Sequence, residues 1–181
     1  MRRFAVVIAV ALVPAAFAAA QAGHSSDNAI SGAVRANWDQ AKKNLVDSAE
    51  QMPEANYSFK PTDSVRSFGA ILAHVAGANY VFCSAALGEK SPHAEDEFEK
   101  SATTKAAIQK VLSESMAYCD KAVDALTDRS AAETVAMPFG MKAAPRSFAL
   151  IANIAHLSEH YGNLVTYFRI KGIVPPSSRG Q

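Results

Sequence analysis

The sequence predicts an all-α fold, a four-helix bundle that follows a cleaved export signal. Apolar residues recur with helical periodicity in four segments, each about 20 to 25 residues long. Prolines and glycines fall between these segments, and no alternating run is long enough to predict a β-strand. Helices of this length, each with an apolar face, are typical of a four-helix bundle.

The first 22 residues have the features of a secretory signal peptide. A basic start, Met1-Arg2-Arg3, precedes an apolar run, and Ala20-Gln21-Ala22 fits a small-residue cleavage site. The alternative is an uncleaved membrane anchor, but the run is shorter than the roughly 20 residues that span a bilayer, and it contains Pro14. We therefore expect residues 23–181 to form an exported, periplasmic or secreted domain.

The charges of the chain nearly balance. The full sequence has 18 Lys and Arg against 17 Asp and Glu, and loss of Arg2 and Arg3 with the signal makes the mature chain slightly acidic. This balance argues against nucleic acid and against an anionic membrane surface as partners. No other segment is expected to span a membrane, so we expect no membrane association after signal cleavage.

The first two predicted helices span about residues 27–51 and 67–87. The second begins after Ser67, a residue type that favours helix N-caps, and Gly88 ends it. A segment with two prolines separates the two helices. The first helix carries one apolar face, made of Ile30, Val34, Trp38, Ala41 and Leu45.

The third and fourth predicted helices span about residues 103–127 and 147–171, and Gly172 ends the fourth. The polar connection before the third helix, residues 88–101, is long enough to cross the bundle, so the helix order stays open. We expect its acidic part, HAEDEFEK, to be a solvated loop.

The sequence contains two cysteines, Cys83 and Cys119, both on apolar helical faces. In an oxidising compartment they could form a disulfide, although buried free cysteine is also common. If their helices were sequential antiparallel neighbours, the two residues would lie at very different heights. A disulfide therefore requires an unusual topology, and the sequence leaves the pairing open.

The fourth predicted helix carries a polar stripe beside its apolar face. At about 100° per residue the stripe is predicted to face the core, where each unpaired polar group costs about 1–3 kcal/mol. A metal ion would satisfy the two histidines of the stripe at once. The stripe comprises Asn153, His156, His160, Asn163 and Tyr167.

His74 is the predicted third metal ligand, because a protein metal site normally needs at least three. It lies in the second predicted helix near small residues such as Ala73 and Gly77, which let another helix or a ligand come close. His24 lies at the expected mature N-terminus and His93 in the acidic connection, so both are poorer candidates.

The sequence HLSEH also matches the H-x-x-E-H pattern of inverted zinc peptidases, with Glu159 as base. Those enzymes need a carboxylate ligand well downstream, and no Asp or Glu follows Glu159. Glu159 is also expected on the solvent side of its helix. We therefore reject a peptidase site.

Two blocks of the sequence resemble the DinB-like (DNA-damage-inducible) superfamily. One is the histidine that follows RSFGAIL, and the other is the H-x-x-x-H-x-G block that leads into YFRIKGIVPPSS. The resemblance covers about residues 27–178. It implies a bundle with non-sequential helix order and a divalent ion held by three histidines, which correspond here to His74, His156 and His160.

The resemblance further implies a possible homodimer, because family members often form one. Family members with assigned activities include transferases that use low-molecular-weight thiols. The predicted export signal separates this chain from cytosolic thiols, so we do not infer a thiol-transferase activity.

Three neutral imidazoles leave a divalent ion its full charge and an open coordination position. We therefore predict a metal-dependent hydrolase or transferase that acts on a small molecule, with zinc, nickel or iron as the favoured ions. Its catalytic residues are unknown at this stage. We expect side chains of the stripe to orient the ligands or the substrate, namely Asn153, Asn163 and Tyr167.

Two alternatives stay open. One is a non-catalytic bundle that binds metal or a metal-bound ligand. The other is a metal-free bundle whose histidines are core residues, hydrogen-bonded to the same polar side chains or to backbone carbonyls. Metal content separates the last possibility from the others, and metal-dependent turnover separates an enzyme from a binding protein.

Overall fold

The computed structural model describes residues 28–180, so the predicted signal peptide, residues 1–22, lies outside the described residues. Within them the chain forms six helices and one short antiparallel strand pair. The helices are α1 (Ala29–Gln51), α2 (Phe68–Leu87), α3 (Glu97–Ser101), α4 (Lys105–Asp124), α5 (Asp128–Ala131) and α6 (Arg146–Ile170). The strands are β1 (Thr134–Val135) and β2 (Ala144–Pro145), and 3-10 turns lie at Glu54–Asn56 and Pro176–Ser178.

The four long helices, α1, α2, α4 and α6, confirm the helices predicted from periodicity. The side chain of Ser67 accepts a hydrogen bond from the Ala70 amide and caps α2, as its position predicted. At the other end, Gly88 adopts the left-handed conformation with φ of 76°, which glycine reaches without a steric penalty. Local sequence signals therefore determine both ends of the helix that carries His74.

The long helices are not arranged in chain order. α1 and α2 follow each other in the sequence but barely touch, and each packs between α4 and α6. They therefore occupy opposite corners of the bundle. The family resemblance implied this non-sequential order, which the structure confirms.

α2 and α4 run parallel. Asn79 hydrogen-bonds to Ser115 and Ser84 to Tyr118, so the contacts advance in step along both helices. This direction brings Cys83 to the height of Cys119, where a disulfide joins Cα atoms 5.3 Å apart. The disulfide is therefore possible because α2 and α4 are parallel, a feature that the sequence did not establish.

The connection between α2 and α4 runs the length of the bundle. The prediction that its acidic part is a solvated loop is wrong for the segment as a whole, but correct for three residues that are exposed, Asp96, Glu97 and Lys100. The part contains most of α3, and the side chain of Phe98 is buried against the ring of Tyr80. The backbone of Glu95 also presses on α2 at Gly77. We call residues 88–104 the crossover.

Of the described helices, α2 is long and apolar enough to cross a membrane by length and composition. We had expected no such segment beyond the N-terminal one. Most of α2 is buried between α4 and α6, including His74 and Asn79. The apolar composition of α2 is therefore explained by its burial in the core of the bundle.

Candidate metal centre

Three histidines from two helices meet in the bundle. The Nε2 atom of His156 lies 3.1 Å from Nε2 of His74 and 3.0 Å from Nε2 of His160. One ring nitrogen from each of the three lies within 4.8 Å of the others. These are the residues that the sequence singled out, and the structure brings all three together.

The antiparallel packing of α2 and α6 brings the histidines to the same height. Phe68 meets Phe168 edge-on toward one end of the pair, and Asn153 donates to Asn79 on the other side of the site. His74 lies between these two contacts on α2. On α6, His156 and His160 are one helical turn apart, so both side chains project from the same face.

A carboxylate fixes the orientation of the His74 ring. His74 Nδ1 lies 3.0 Å from Oε1 of Glu99, on α3. Because an ionised carboxylate can only accept, the ring nitrogen carries the hydrogen. In the tautomer with its single hydrogen on Nδ1, the ring leaves Nε2 unprotonated toward the other two histidines.

The other two histidines are held in the neutral form. Burial, aided by the charges of the neighbouring histidines, lowers the pKa of His156 from 6.5 to about 3. Burial likewise lowers the pKa of His160 to about 4. At neutral pH both rings thus keep a lone pair for a metal ion.

Three neutral imidazoles cannot satisfy one another in this arrangement. In the Nδ1–H tautomer His74 Nε2 can only accept, and His156 Nε2 lies 3.1 Å from it and 3.0 Å from His160 Nε2. If His156 Nε2 carries a hydrogen, it can donate that hydrogen to Nε2 of His74 or of His160, and the remaining nitrogen has no partner. If it does not, its lone pair faces that of His74. A cation bound by all three nitrogens removes this conflict, so the residues fit a divalent ion.

The three polar residues predicted to orient the ligands or the substrate form hydrogen bonds elsewhere or are exposed. Asn153 donates to Asn79 and lies 3.6 Å from each disulfide sulphur. Tyr167 donates to the backbone oxygen of Arg66 at 2.8 Å, whereas Asn163 is exposed. Within residues 28–180, no hydrogen bond joins any of these three side chains to a site histidine, and Nδ1 of His156 and of His160 has no partner. The interpretation of hydrogen-bonded core histidines therefore lacks support.

An open cavity of about 790 Å³ reaches the site at His160. One wall is the segment before α2, residues 61–66, and the other is the exposed side of α6 from Glu159 to Tyr167. Arg66 and Asn163 both line it. The cavity gives a small molecule access to one edge of the histidine cluster.

Three functional candidates were missed from the sequence: Glu95, Glu99 and Arg66. Glu95 Oε1 lies 3.9 Å from His74 Nε2, and Arg66 pairs with Glu99 through Nε at 2.9 Å. Both glutamates belong to the acidic run that we interpreted as solvated. The signal that could have revealed them was Gly77, because the small residue that suggested a close approach is where the crossover touches α2.

Comparison with known proteins agrees with this architecture. The fold is similar to that of a DinB-like protein from Bacillus cereus ATCC 10987, with a TM-score of 0.64 and 16% identity over 80% of this chain and 95% of the other. A DinB-like protein from Bacillus subtilis gives a TM-score of 0.60 and 18% identity, over 77% of this chain and 92% of the other.

A mycothiol-dependent maleylpyruvate isomerase is also similar, with a TM-score of 0.62 and 17% identity over 74% of this chain. The match spans 60% of the isomerase chain, and at such identities the likeness shows the fold alone. No curated protein matches the sequence significantly. A sequence profile described as the DinB superfamily matches residues 37–164, which include all three histidines. With its crossed helix order and histidine cluster, this chain belongs to the DinB superfamily.

Proposed function

We propose that this protein is an exported metal-dependent hydrolase or transferase that acts on a small molecule. The observation that carries the proposal is the convergence of three imidazole Nε2 atoms, from His74, His156 and His160, at the edge of an open cavity. The lowered pKa values of His156 and His160, and the lack of a hydrogen-bond arrangement that satisfies all three rings, favour a bound divalent ion. Imidazole ligands suit zinc, nickel and iron.

A bound divalent ion would supply a Lewis acid that lowers the pKa of water or polarises a carbonyl group. The three histidines hold this ion, and the cavity beside His160 admits the substrate. Glu95 places a carboxylate oxygen 3.9 Å from the metal-binding nitrogen of His74. It is the candidate proton acceptor that the sequence alone did not provide.

The disulfide between Cys83 and Cys119 supports export. Disulfides persist in oxidising compartments such as the bacterial periplasm and are rare in the cytosol. Both cysteines are fully buried, so the bridge belongs to the core and not to a reactive surface. Together with the predicted signal peptide at residues 1–22, it favours a periplasmic or secreted protein.

Metal content tests the proposal directly. Protein purified from the exported fraction without an affinity tag is expected to contain about one divalent ion per chain by elemental mass spectrometry. His74→Ala, His156→Ala and His160→Ala should each lose it. His93→Ala is the matched control, because His93 also pairs with a carboxylate, Glu97, but lies outside the cluster.

Turnover then separates the enzyme from a binding protein. We expect a panel of small esters, amides and electrophiles to contain a substrate whose conversion requires the bound ion and is abolished by His156→Ala. Full metal occupancy without metal-dependent conversion would favour the non-catalytic alternative. Absence of metal after reconstitution would contradict both.

A further inference from the structure

We propose that Glu99 and Arg66 are positioning residues of the metal centre. They hold His74 in the tautomer whose Nε2 faces the ion, so the affinity for metal depends on the crossover. The inference rests on the proposed function, because it concerns the same three-histidine site. It adds residues from outside the two helices that carry the ligands.

The geometry around Glu99 is that of a carboxylate that orients a metal ligand. His74 Nδ1 donates to Glu99 Oε1 at 3.0 Å, and the two side chains are 8% and 22% exposed. Metal-binding histidines commonly donate their second ring nitrogen to a carboxylate, which fixes the ring and raises its basicity. Among the described residues, His74 is the only cluster member with such a partner.

Arg66 holds the carboxylate in turn. Its Nε donates to Glu99 Oε2 at 2.9 Å and its Nη2 to Oε1 at 3.3 Å, a two-pronged contact that restricts the carboxylate to one plane. The backbone oxygen of Arg66 accepts a hydrogen bond from Tyr167 at 2.8 Å. Arg66 therefore links Glu99 to α6, the helix that provides the other two ligands.

The crossover gives Glu99 a rigid support. Phe98, the preceding residue, is buried and contacts the ring of Tyr80 on α2. On the other side, the Glu95 backbone rests on Gly77 of α2. These two contacts set the position of α3, and hence of Glu99, relative to His74.

The same short helix contains a matched control. Glu97 Oε1 also lies 3.0 Å from a histidine Nδ1, that of His93, but these side chains are 43% and 33% exposed. His93 lies outside the histidine cluster. Removal of Glu97 thus deletes a carboxylate–histidine pair of the same length from the same helix without touching the site.

Two measurements test the inference. The first is the zinc affinity of wild type, Glu99→Ala, Glu99→Gln and Glu97→Ala, by competition with a chromogenic chelator at fixed pH. The second is the tautomer of His74 in the metal-free protein, from long-range ¹H–¹⁵N correlation spectra. Circular dichroism in the presence of a chelator establishes that each variant is folded.

We expect Glu99→Ala to weaken zinc binding on the order of 10- to 100-fold and to release His74 into a mixture of tautomers. Glu99→Gln keeps an acceptor oxygen, so it should retain the Nδ1–H tautomer and lose less affinity. Glu97→Ala should match wild type in both measurements. Arg66→Met should weaken binding by itself but add little to Glu99→Ala, because the two residues act through one contact.

The inference is overturned if Glu99→Ala binds zinc within twofold of Glu97→Ala, or if wild-type His74 carries its hydrogen on Nε2. Should Glu99→Ala fail to fold, the zinc affinity and the His74 tautomer are measured on Glu99→Gln and Arg66→Met instead. A wild-type protein that binds none of zinc, nickel and iron would contradict the proposed function. The tautomer measurement would still decide whether Glu99 orients His74.

Discussion

Gly77 and Glu95 are in direct backbone contact: a Cβ atom added to Gly77 would lie 1.8 Å from the carbonyl oxygen of Glu95. Only glycine allows α2 and the crossover to approach this closely. The contact lies one turn from His74 on α2 and four residues before Glu99 on the chain. The absence of a Cβ atom at Gly77 therefore lets the acidic part of the crossover lie beside the histidine cluster.

We predict that Gly77→Ala destabilises the protein and weakens metal binding. The obstructing atoms belong to a backbone, which cannot rotate away as a side chain can, so overpacking should lower the free energy of unfolding by about 1–3 kcal/mol. Urea unfolding of the metal-free protein measures the first effect, and a chelator competition with zinc measures the second.

Gly162→Ala is the control for this substitution. Gly162 lies in α6 close to the histidines, and an added Cβ would meet nothing within 4 Å. Alanine should raise helix stability there by about 0.5–1 kcal/mol. Equal unfolding free energies for the two variants would contradict the role of the Gly77 contact.

Reduction of the disulfide is predicted to destabilise the bundle without removing the metal site. Cys83 and Cys119 are separated by 36 residues, and a cross-link across a loop of this length typically contributes about 2–4 kcal/mol. Thermal unfolding with and without reductant measures the difference. The double variant Cys83→Ala with Cys119→Ala should be insensitive to reductant, and an equal effect on both proteins would contradict the prediction.

The metal-free protein is predicted to lose stability as the pH falls below about 6.5. The native pKa values of His156 and His160, about 3 and about 4, lie below the ordinary value near 6.5 of an unfolded chain. Between these limits the unfolded state binds more protons than the native state, so acidification favours unfolding. Urea unfolding at pH 7.5 and pH 5.5 in the presence of a chelator tests the effect.

The double variant His156→Gln with His160→Gln isolates the contribution of the two imidazoles. Its unfolding free energy should fall less over the same pH interval, because glutamine does not titrate. Identical pH dependence in wild type and variant would show that other groups dominate.

Asp128 is predicted to stabilise α1 from another helix. Its carboxylate accepts hydrogen bonds from the amides of Ile30 and Ser31 at 3.1 Å and 2.8 Å, whereas the residue before α1, Asn28, provides no side-chain cap. These bonds lower the pKa of Asp128. Asp128→Ala should therefore reduce amide exchange protection in the first turn of α1, while Asp124→Ala, which removes an exposed ion pair with Arg35, should leave it unchanged.

The sequence predicted the parts of this molecule that depend on local patterns. Helical periodicity located all four long helices, and the spacing of His156 and His160 placed both on one face. His74 was identifiable because it is a histidine among small residues in an apolar helix. These features need no knowledge of which helices are neighbours.

The parts that were missed depend on contacts between distant segments. α3 has only five residues, too few for a periodic pattern, and Glu99 reaches His74 across 25 residues of chain. The disulfide required parallel packing of α2 and α4, which a connection of sufficient length permits but does not impose. Asn163 was assigned to a core-facing stripe, but it lies where α6 borders the open cavity.

The disulfide and the histidine cluster link three of the four long helices and leave out the fourth. α2 is bonded covalently to α4 and is joined to α6 through the imidazoles. α1 alone among the four long helices has neither attachment. Packing, the Asp128 carboxylate, a hydrogen bond from Trp38 to Asp120 and ion pairs of Arg35 and Lys42 with α4 hold it in place. Separation of α1 breaks only noncovalent contacts, so we expect α1 to leave the bundle before α2, α4 and α6 separate from one another. A bound ion would stabilise the packing of α2 against α6 and would leave the contacts of α1 unchanged.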